Sequence, residues 1–197
     1  MKRIFIVFAI FQLALSSCSE VNNPYIQIET DMGNIIAEIY LKQAPITATN
    51  FLHHIDIGTF DTHQTLFYRV VRPDNQPNST TKIEVIQGGL YDDDLIDAIP
   101  PIEHETTNIT GILHTDGTLS MARGAPGTAS TEFFICIGDQ PGLDYGGSRN
   151  RDGQGFATFG KVVDGMDVVK QIQSMRDTIQ YLIEPVRIRS IRRLPAP

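Results

Sequence analysis

Three side chains invite a chemical reading: Arg69 in "FYRVV", Gln87 in "VIQGG" and Phe134 in "EFFICIG". In an extended strand, successive side chains point to opposite faces. On that rule Arg69 shares a face with Phe67 and Val71, Gln87 with Val85 and Ile83, and Phe134 with Glu132 and Cys136. Phe133, Ile135 and Ile137 take the other face of their strand and read as core, which leaves a large aromatic, Phe134, turned away from it. If the three faces adjoin, they make an apolar dish with two long hydrogen-bond donors at its edge. Alternation alone does not make them adjoin.

Other chemistries lack their residues. A zinc protease helix would carry H-E-x-x-H, but "HETTN" at 104–108 has no second histidine. His53 and His54 are neighbours on a helix, point in different directions and read as solvated surface residues. Asp92, Asp93 and Asp94 lack the spacing of a calcium loop and read as a solvated turn. The glycines of 146–155 are followed by no G-K-[ST], and "GGSRN" lacks the closing glycine of a nucleophile elbow. Cys136 sits between two isoleucines and reads as an inert, packed thiol. No nucleophile, metal cage or phosphate cradle remains, only polar donors beside apolar side chains on strands.

The elements that would position them are mostly strands. "YIQIETDMGNIIAEIY" alternates on both sides of Met32-Gly33 and predicts a hairpin. "APITATNFLHHIDIG" predicts a helix, with Pro45 in its first turn, Gly58 near its end, and Ala48, Phe51, Leu52 and Ile55 as one apolar stripe. Strands follow at "LFYRVV", "IEVIQGG", "TLSMAR", "EFFICIG", "FATFGKVV" and "EPVRIRSIRRL". "GMDVVKQIQSM" predicts a second helix with Met166, Val169 and Ile172 on one face. "RPDNQPNSTTK" and "GDQPGLDYGGSRNRDGQG" are loops, and the stretch between residues 90 and 117 reads as mostly irregular. Many strands, two helices and no βαβ alternation favour a barrel or sandwich.

Composition narrows the partners. The 197 residues carry a net charge of −7, against a nucleic-acid partner, whose phosphates call for a basic stripe. The hydrophobic fraction of 41% suffices for a sizeable core. At the N-terminus, Lys2 and Arg3 precede an apolar run, Ile4 to Leu15, that is too short to span a bilayer. Residues 1–17 therefore read as a secretory signal peptide. Its end, Leu15-Ser16-Ser17-Cys18, resembles a bacterial lipobox, which implies lipidation of Cys18 and attachment to a membrane of the cell envelope. Residues 18–24 are then a lipidated tether and 25–197 a single domain, in which Cys136 has no partner for a disulfide.

"FYRVV", "VIQGG", "GTLSMARGAPGTASTEFFICIG", "GLD" and "FATFGKVVDGMDVV", in that order, resemble the successive motifs of the cyclophilins, a family of peptidyl-prolyl cis-trans isomerases. The resemblance covers most of residues 25–194. It implies a mainly-β fold: a closed eight-stranded antiparallel barrel capped by two α-helices, with a substrate groove on its outside. In the family's frame Arg69 matches the catalytic arginine and Gln87 the glutamine that holds the substrate carbonyl. Ala122 matches a backbone-contact position, and Phe134, Val85, Leu143 and Phe156 match groove positions. Phe133 is then expected inside the barrel and Phe134 under the substrate's proline ring. No cofactor and no metal is implied, and the partners are proline-containing, partly folded or extended polypeptides.

The chain departs from the family's pattern at several groove positions. Glu84 stands where a phenylalanine is usual; by alternation it points away from Gln87, and a carboxylate there would either weaken the proline site or pair with a basic neighbour. Gly142 replaces a common aromatic, which argues against strong cyclosporin binding; Phe156 replaces a histidine and Glu132 a glutamine. About ten additional residues lie between Arg69 and Gln87, in "RPDNQPNSTT", and are expected beside the groove. Two functions fit: an envelope prolyl isomerase assisting folding, or a proline-peptide-binding chaperone module with little turnover. Arg69 favours the first and Glu84 the second.

Overall fold

The computed structural model of the chain describes residues 22–195. The expected signal peptide and Cys18 lie outside the described residues. In chain order the elements are β1 (Tyr25–Thr30), β2 (Gly33–Ile39), α1 (Pro45–Asp56), α2 (Thr59–Thr62), β3 (Thr65–Val71), β4 (Val85–Leu90) and α3 (Asp93–Ala98). They continue with α4 (Thr107–Thr110), β5 (Thr118–Met121), β6 (Phe133–Cys136), β7 (Ala157–Asp164), α5 (Met166–Gln173), β8 (Asp177–Thr178) and β9 (Tyr181–Arg193).

Eight strands close on themselves in the order β1-β2-β7-β5-β6-β4-β3-β9, and β9 pairs back with β1. Every pairing is antiparallel, and β8 is a short appendage of β9. This is the expected closed barrel, capped by helices of which α1 and α5 are the longest. Closure removes the sheet edges that an open β-structure would have to protect. Inward residues obey alternation: Ile26 and Ile28 of β1, and Ile35, Ala37 and Ile39 of β2, are fully buried. Phe51 of α1 joins the barrel aromatics, with ring centroids 5.2 Å from Phe133 and 4.8 Å from Phe159.

Helix α1 starts without a side-chain cap from its own flank. One of its N-terminal amides is met instead by Glu105, whose Oε2 accepts from Thr47 N at 2.6 Å and also from Thr47 Oγ1 at 2.7 Å. A carboxylate there satisfies one orphan amide and is favoured by the positive end of the helix dipole.

Several expectations are corrected. Phe67 does not share a face with Arg69. Opposite β4, Phe67 pairs with Gly88 and Arg69 with Gln87, so Tyr68 is an extra residue, a β-bulge. The bulge leaves Phe67 in the barrel core and turns Arg69 outward beside Val71. His54 is buried, not solvated: its Nδ1 lies 3.1 Å from Thr59 Oγ1 and its ring packs against Phe60. The stretch from 90 to 117 is mostly irregular, as expected, apart from the short helices α3 and α4. Asp92–Asp94 are exposed, but they open α3, where the Asp92 side chain accepts from Leu95 N at 3.2 Å.

Candidate active site

Strand register assembles the site. Arg69 of β3 stands opposite Gln87 of β4, and Gln87 stands opposite Phe134 of β6. One row of the sheet therefore carries all three. The adjoining row on the same face, two residues along, carries Val71, Val85 and Cys136 in the same register. These two rows supply the adjacency that alternation left open. Val71, Ile83, Val85, Phe134, Cys136 and Leu143 form a buried apolar cluster separate from the barrel core, with Ala122 and Phe156 packed against it. Above them lies a cavity of about 560 Å³ lined by all seven residues expected from the sequence: Arg69, Gln87, Phe134, Val85, Leu143, Ala122 and Phe156.

Phe134 is only 4% exposed and forms the apolar floor. The His114 ring stacks against it with centroids 5.9 Å apart and planes within 10°, and Phe156 meets it edge-on at 5.3 Å. His114 is buried, which pushes its pKa down against the pull of Asp144. As a neutral ring it donates from Nδ1 to Asp144 Oδ1 at 2.7 Å and accepts at Nε2 from Ser120 Oγ at 3.0 Å. Arg123 completes the wall: its guanidinium carbon lies 5.1 Å from the Phe156 ring centroid, and it binds Gly155 O and Asp152. Cys136 is fully buried and its pKa is raised by burial, so its thiol is inert packing.

The polar rim is one connected network. Arg69 Nη1 donates to Gln87 Oε1 at 2.8 Å, while its Nε and Nη2 both donate to Gln180 Oε1, at 3.1 and 2.6 Å. Gln87 Nε2 donates to the Tyr68 hydroxyl at 2.9 Å, which fixes the orientation of the Gln87 amide. Tyr68 in turn donates to Glu132 Oε2. Burial first, and Glu132 beside it, raise the Tyr68 pKa, so the phenol keeps its proton. None of the ion pairs among the described residues involves Arg69.

Glu132 is held in a tight cleft. A Cβ on Gly89, whose φ is +145°, would stand 2.2 Å from Glu132 Oε1, so only glycine leaves room for the carboxyl. That Oε1 is buried without a hydrogen-bond partner, and burial pushes the Glu132 pKa up to about 8 despite the bond from Tyr68. The native protein therefore holds one more proton than the unfolded chain between the ordinary value of 4.5 and about 8. The resulting stabilisation is complete below the lower value and is lost as pH rises through the upper one. Glu132→Gln, a neutral near-isostere, is expected to flatten the pH dependence of the urea midpoint across this window and to be the more stable protein above it. A slope unchanged from the parent would show that Glu132 is ionised throughout.

The insertion and the substituted positions are also placed. Arg149 Nη1 donates to Gln76 Oε1 at 2.9 Å, Ser79 Oγ at 2.6 Å and Thr81 O at 2.8 Å, clamping the inserted loop to the glycine-rich loop beside the cavity. Burial and the charge of Arg69 lower the Arg149 pKa, placing a second cation near the rim. Gly142 faces Thr81, whose Cγ2 would lie 2.5 Å from an added Cβ, so inserted residues take the space a side chain there would fill. Glu84 neither weakens the apolar floor nor pairs with a base: it accepts from Gln173 Nε2 of α5 at 3.2 Å, away from the cavity lining. The feature that favoured a mere binding module is thus outside the cavity. Sequence reasoning missed Tyr68, His114, Arg149 and Gln180 as parts of the site; each is brought in by a loop, a bulge or a distant hairpin.

Comparisons with known proteins identify the family and the fold. The family model described as cyclophilin type peptidyl-prolyl cis-trans isomerase matches residues 25–193. The chain is 35% identical over 164 residues to a peptidyl-prolyl cis-trans isomerase of Acinetobacter baylyi, covering 82% of this chain and 78% of that one. It is 33% identical over 153 residues to peptidyl-prolyl cis-trans isomerase B of Escherichia coli, covering 76% and 84%. Among solved structures, a cyclophilin type peptidyl-prolyl cis-trans isomerase of Cryptosporidium parvum superposes with a TM-score of 0.69 at 22% identity, covering 89% of this chain and 99% of that one; it speaks to the fold.

Proposed function

The chain belongs to the cyclophilin-type peptidyl-prolyl cis-trans isomerases and shares their enzymatic activity; we propose that it acts as a lipid-anchored isomerase of the bacterial cell envelope, with Arg69 and Gln87 as its catalytic pair. Phe134, Val85, Leu143, Ala122 and Phe156 form the groove that seats the substrate's proline. The X–Pro bond is held planar by resonance, and rotation about it crosses a barrier of roughly 18–20 kcal/mol. No covalent bond breaks, so neither nucleophile nor metal is called for. As the amide twists, the proline nitrogen recovers its lone pair. A guanidinium N–H aimed at that nitrogen binds the twisted state better than the planar one, and that difference lowers the barrier.

The observation that carries this reading is the state of Arg69. It stands in one row with Gln87 and Phe134, beside an apolar floor, and its partners are neutral amides rather than carboxylates. Its full positive charge is therefore available to a substrate. Gln87, oriented by Tyr68, offers a fixed polar group to the substrate backbone next to Arg69.

The envelope assignment rests on Lys2-Arg3, the apolar run Ile4–Leu15 and the lipobox-like Leu15–Cys18. Among the described residues no helix is long and apolar enough to cross a membrane, so attachment would fall to a lipid on Cys18. The clients are exposed prolines in partly folded or extended envelope proteins, whose slow isomerisation limits folding. Expression of the full chain and of Cys18→Ser in a bacterial host, followed by membrane fractionation and mass spectrometry of the mature N-terminus, tests the anchor. An acylated Cys18 in the membrane fraction and a released Cys18→Ser variant are expected. Identical, unacylated distributions of both proteins would refute it.

A further inference from the structure

We propose that Gln180, on the distant β8–β9 hairpin, is a positioning residue that aims Arg69 at the substrate without neutralising it. This inference rests on the proposed role of Arg69. A guanidinium has five N–H groups. Arg69 spends its Nε–H and one Nη2–H on the single oxygen Gln180 Oε1, and one Nη1–H on Gln87 Oε1. One N–H on each terminal nitrogen is left over, and these two are the ones available to a bound amide. Gln87 and Gln180 grip different nitrogens, so the planar group cannot swing without breaking one of the bonds.

The hairpin is built to deliver that oxygen. Arg69 stands opposite Tyr181 in the β3–β9 ladder, so the turn immediately before Tyr181 lies at the guanidinium. The two turn residues, Ile179 and Gln180, both have positive φ, +51° and +76°. Side-chain-bearing residues seldom adopt this conformation, least of all a β-branched one. Ile179 is 83% exposed, so its side chain recovers nothing by packing. Such strain persists where surrounding structure over-determines it. Here Gln180 is held by Asp177 Oδ1 on its backbone N–H at 2.8 Å and by Val70 N–H on its carbonyl at 2.8 Å. Its side-chain Nε2 donates to Asn75 O at 3.2 Å. Asp177 is itself gripped by Arg72 and by Asn75 Nδ2 at 3.2 Å. The inserted loop and the hairpin thus form one frame around Gln180, and the amide is fixed with its oxygen toward Arg69.

The choice of an amide matters. A carboxylate in the same place would accept the same two N–H groups but would cancel the charge that Arg69 offers the twisted imide. Two variants separate aim from fold. Gln180→Asn and Gln180→Gly both suit a positive φ, and neither reaches Arg69. Each is expected to lower kcat about tenfold with KM within about twofold, as loss of orientation without loss of binding predicts. In an Arg69→Ala background the same substitutions are expected to change the rate by less than about twofold, because the group they position is gone. Gln180→Glu is expected to keep the geometry yet fall below the parent in kcat. Exchange of the Arg69 Nε–H with solvent, followed by ¹⁵N NMR, gives a readout independent of turnover and is expected to be much faster in Gln180→Asn. Unchanged Nε–H protection, or equal rate losses with and without Arg69, would overturn the proposal. A parent protein with no turnover would instead sink the role of Arg69, leaving the NMR measurement to decide that of Gln180.

Discussion

Arg69→Ala is expected to lower kcat by about 10²–10³-fold, the loss typical when one preorganised transition-state donor is removed. KM should change far less, because Phe134, Val85 and Leu143, the apolar cluster proposed to seat the proline ring, are left in place by the substitution. The effect is large because the positive charge is spent on no carboxylate among the described residues, and because the apolar floor beside it lowers the local polarity and strengthens any bond made there. Arg69→Lys should not restore the rate. An ammonium is a compact charge without the planar fork, and it cannot engage Gln87 and Gln180 on separate edges while presenting N–H groups to a substrate. The measurement is the isomerisation rate of a chromogenic prolyl peptide over its uncatalysed rate, with one-dimensional NMR to show that each variant is folded. If Arg69→Ala retained parental kcat, the electrostatic mechanism would fail, and the groove would have to work by desolvation or distortion alone.

How much of this was legible beforehand follows from the range over which each sequence signal acts. Alternation is a local rule, and it held wherever a strand is regular: Phe133 and Ile135 inside, Phe134 and Cys136 outside, Gln87 in line with Val85. It failed at Tyr68, because a bulge adds a residue that no periodicity announces, and so Phe67 and Arg69 part company. Had alternation held through β3, Arg69 would share a face with Phe67, inside the barrel. The bulge is thus what lets an arginine emerge between Phe67 and Val70, which both belong to the barrel core. Leu143, Ala122 and Phe156 came from family resemblance, since none of them lies within a regular strand of the barrel. Gln180 could not be found at all: it lies 111 positions from Arg69, on a turn with no glycine or asparagine to mark it. His54 was misjudged because a polar side chain on a helix looks solvated until Thr59 and Phe60 are seen to cover it.

The neighbouring phenylalanines of β6 offer the sharpest separation of fold from function. Phe133 is fully buried and meets Phe51, Phe60 and Phe67 at centroid distances of 5.2, 6.4 and 5.8 Å. Phe133→Ala is expected to cost about 3–5 kcal/mol, a large share of the roughly 5–15 kcal/mol that holds a domain together. The urea midpoint should collapse, while activity per folded molecule should survive, because Phe133 does not line the cavity. Phe134 is almost as buried, but the space above it opens to the groove, so water can enter the void left by truncation and soften the penalty. Phe134→Ala should therefore destabilise less than Phe133→Ala and damage catalysis more. Losing the apolar floor removes the burial that seats a proline ring, and a deficit of about 1.4 kcal/mol already means a tenfold rise in KM. His114 and Phe156, which touch Phe134 from two sides, would also lose the surface that fixes them. Denaturation midpoints and kcat/KM measured on both variants place each residue on one axis or the other. Catalysis untouched in Phe134→Ala would mean that the substrate proline does not rest on Phe134, and catalysis lost in a folded Phe133→Ala would mean that the core residue shapes the site as well.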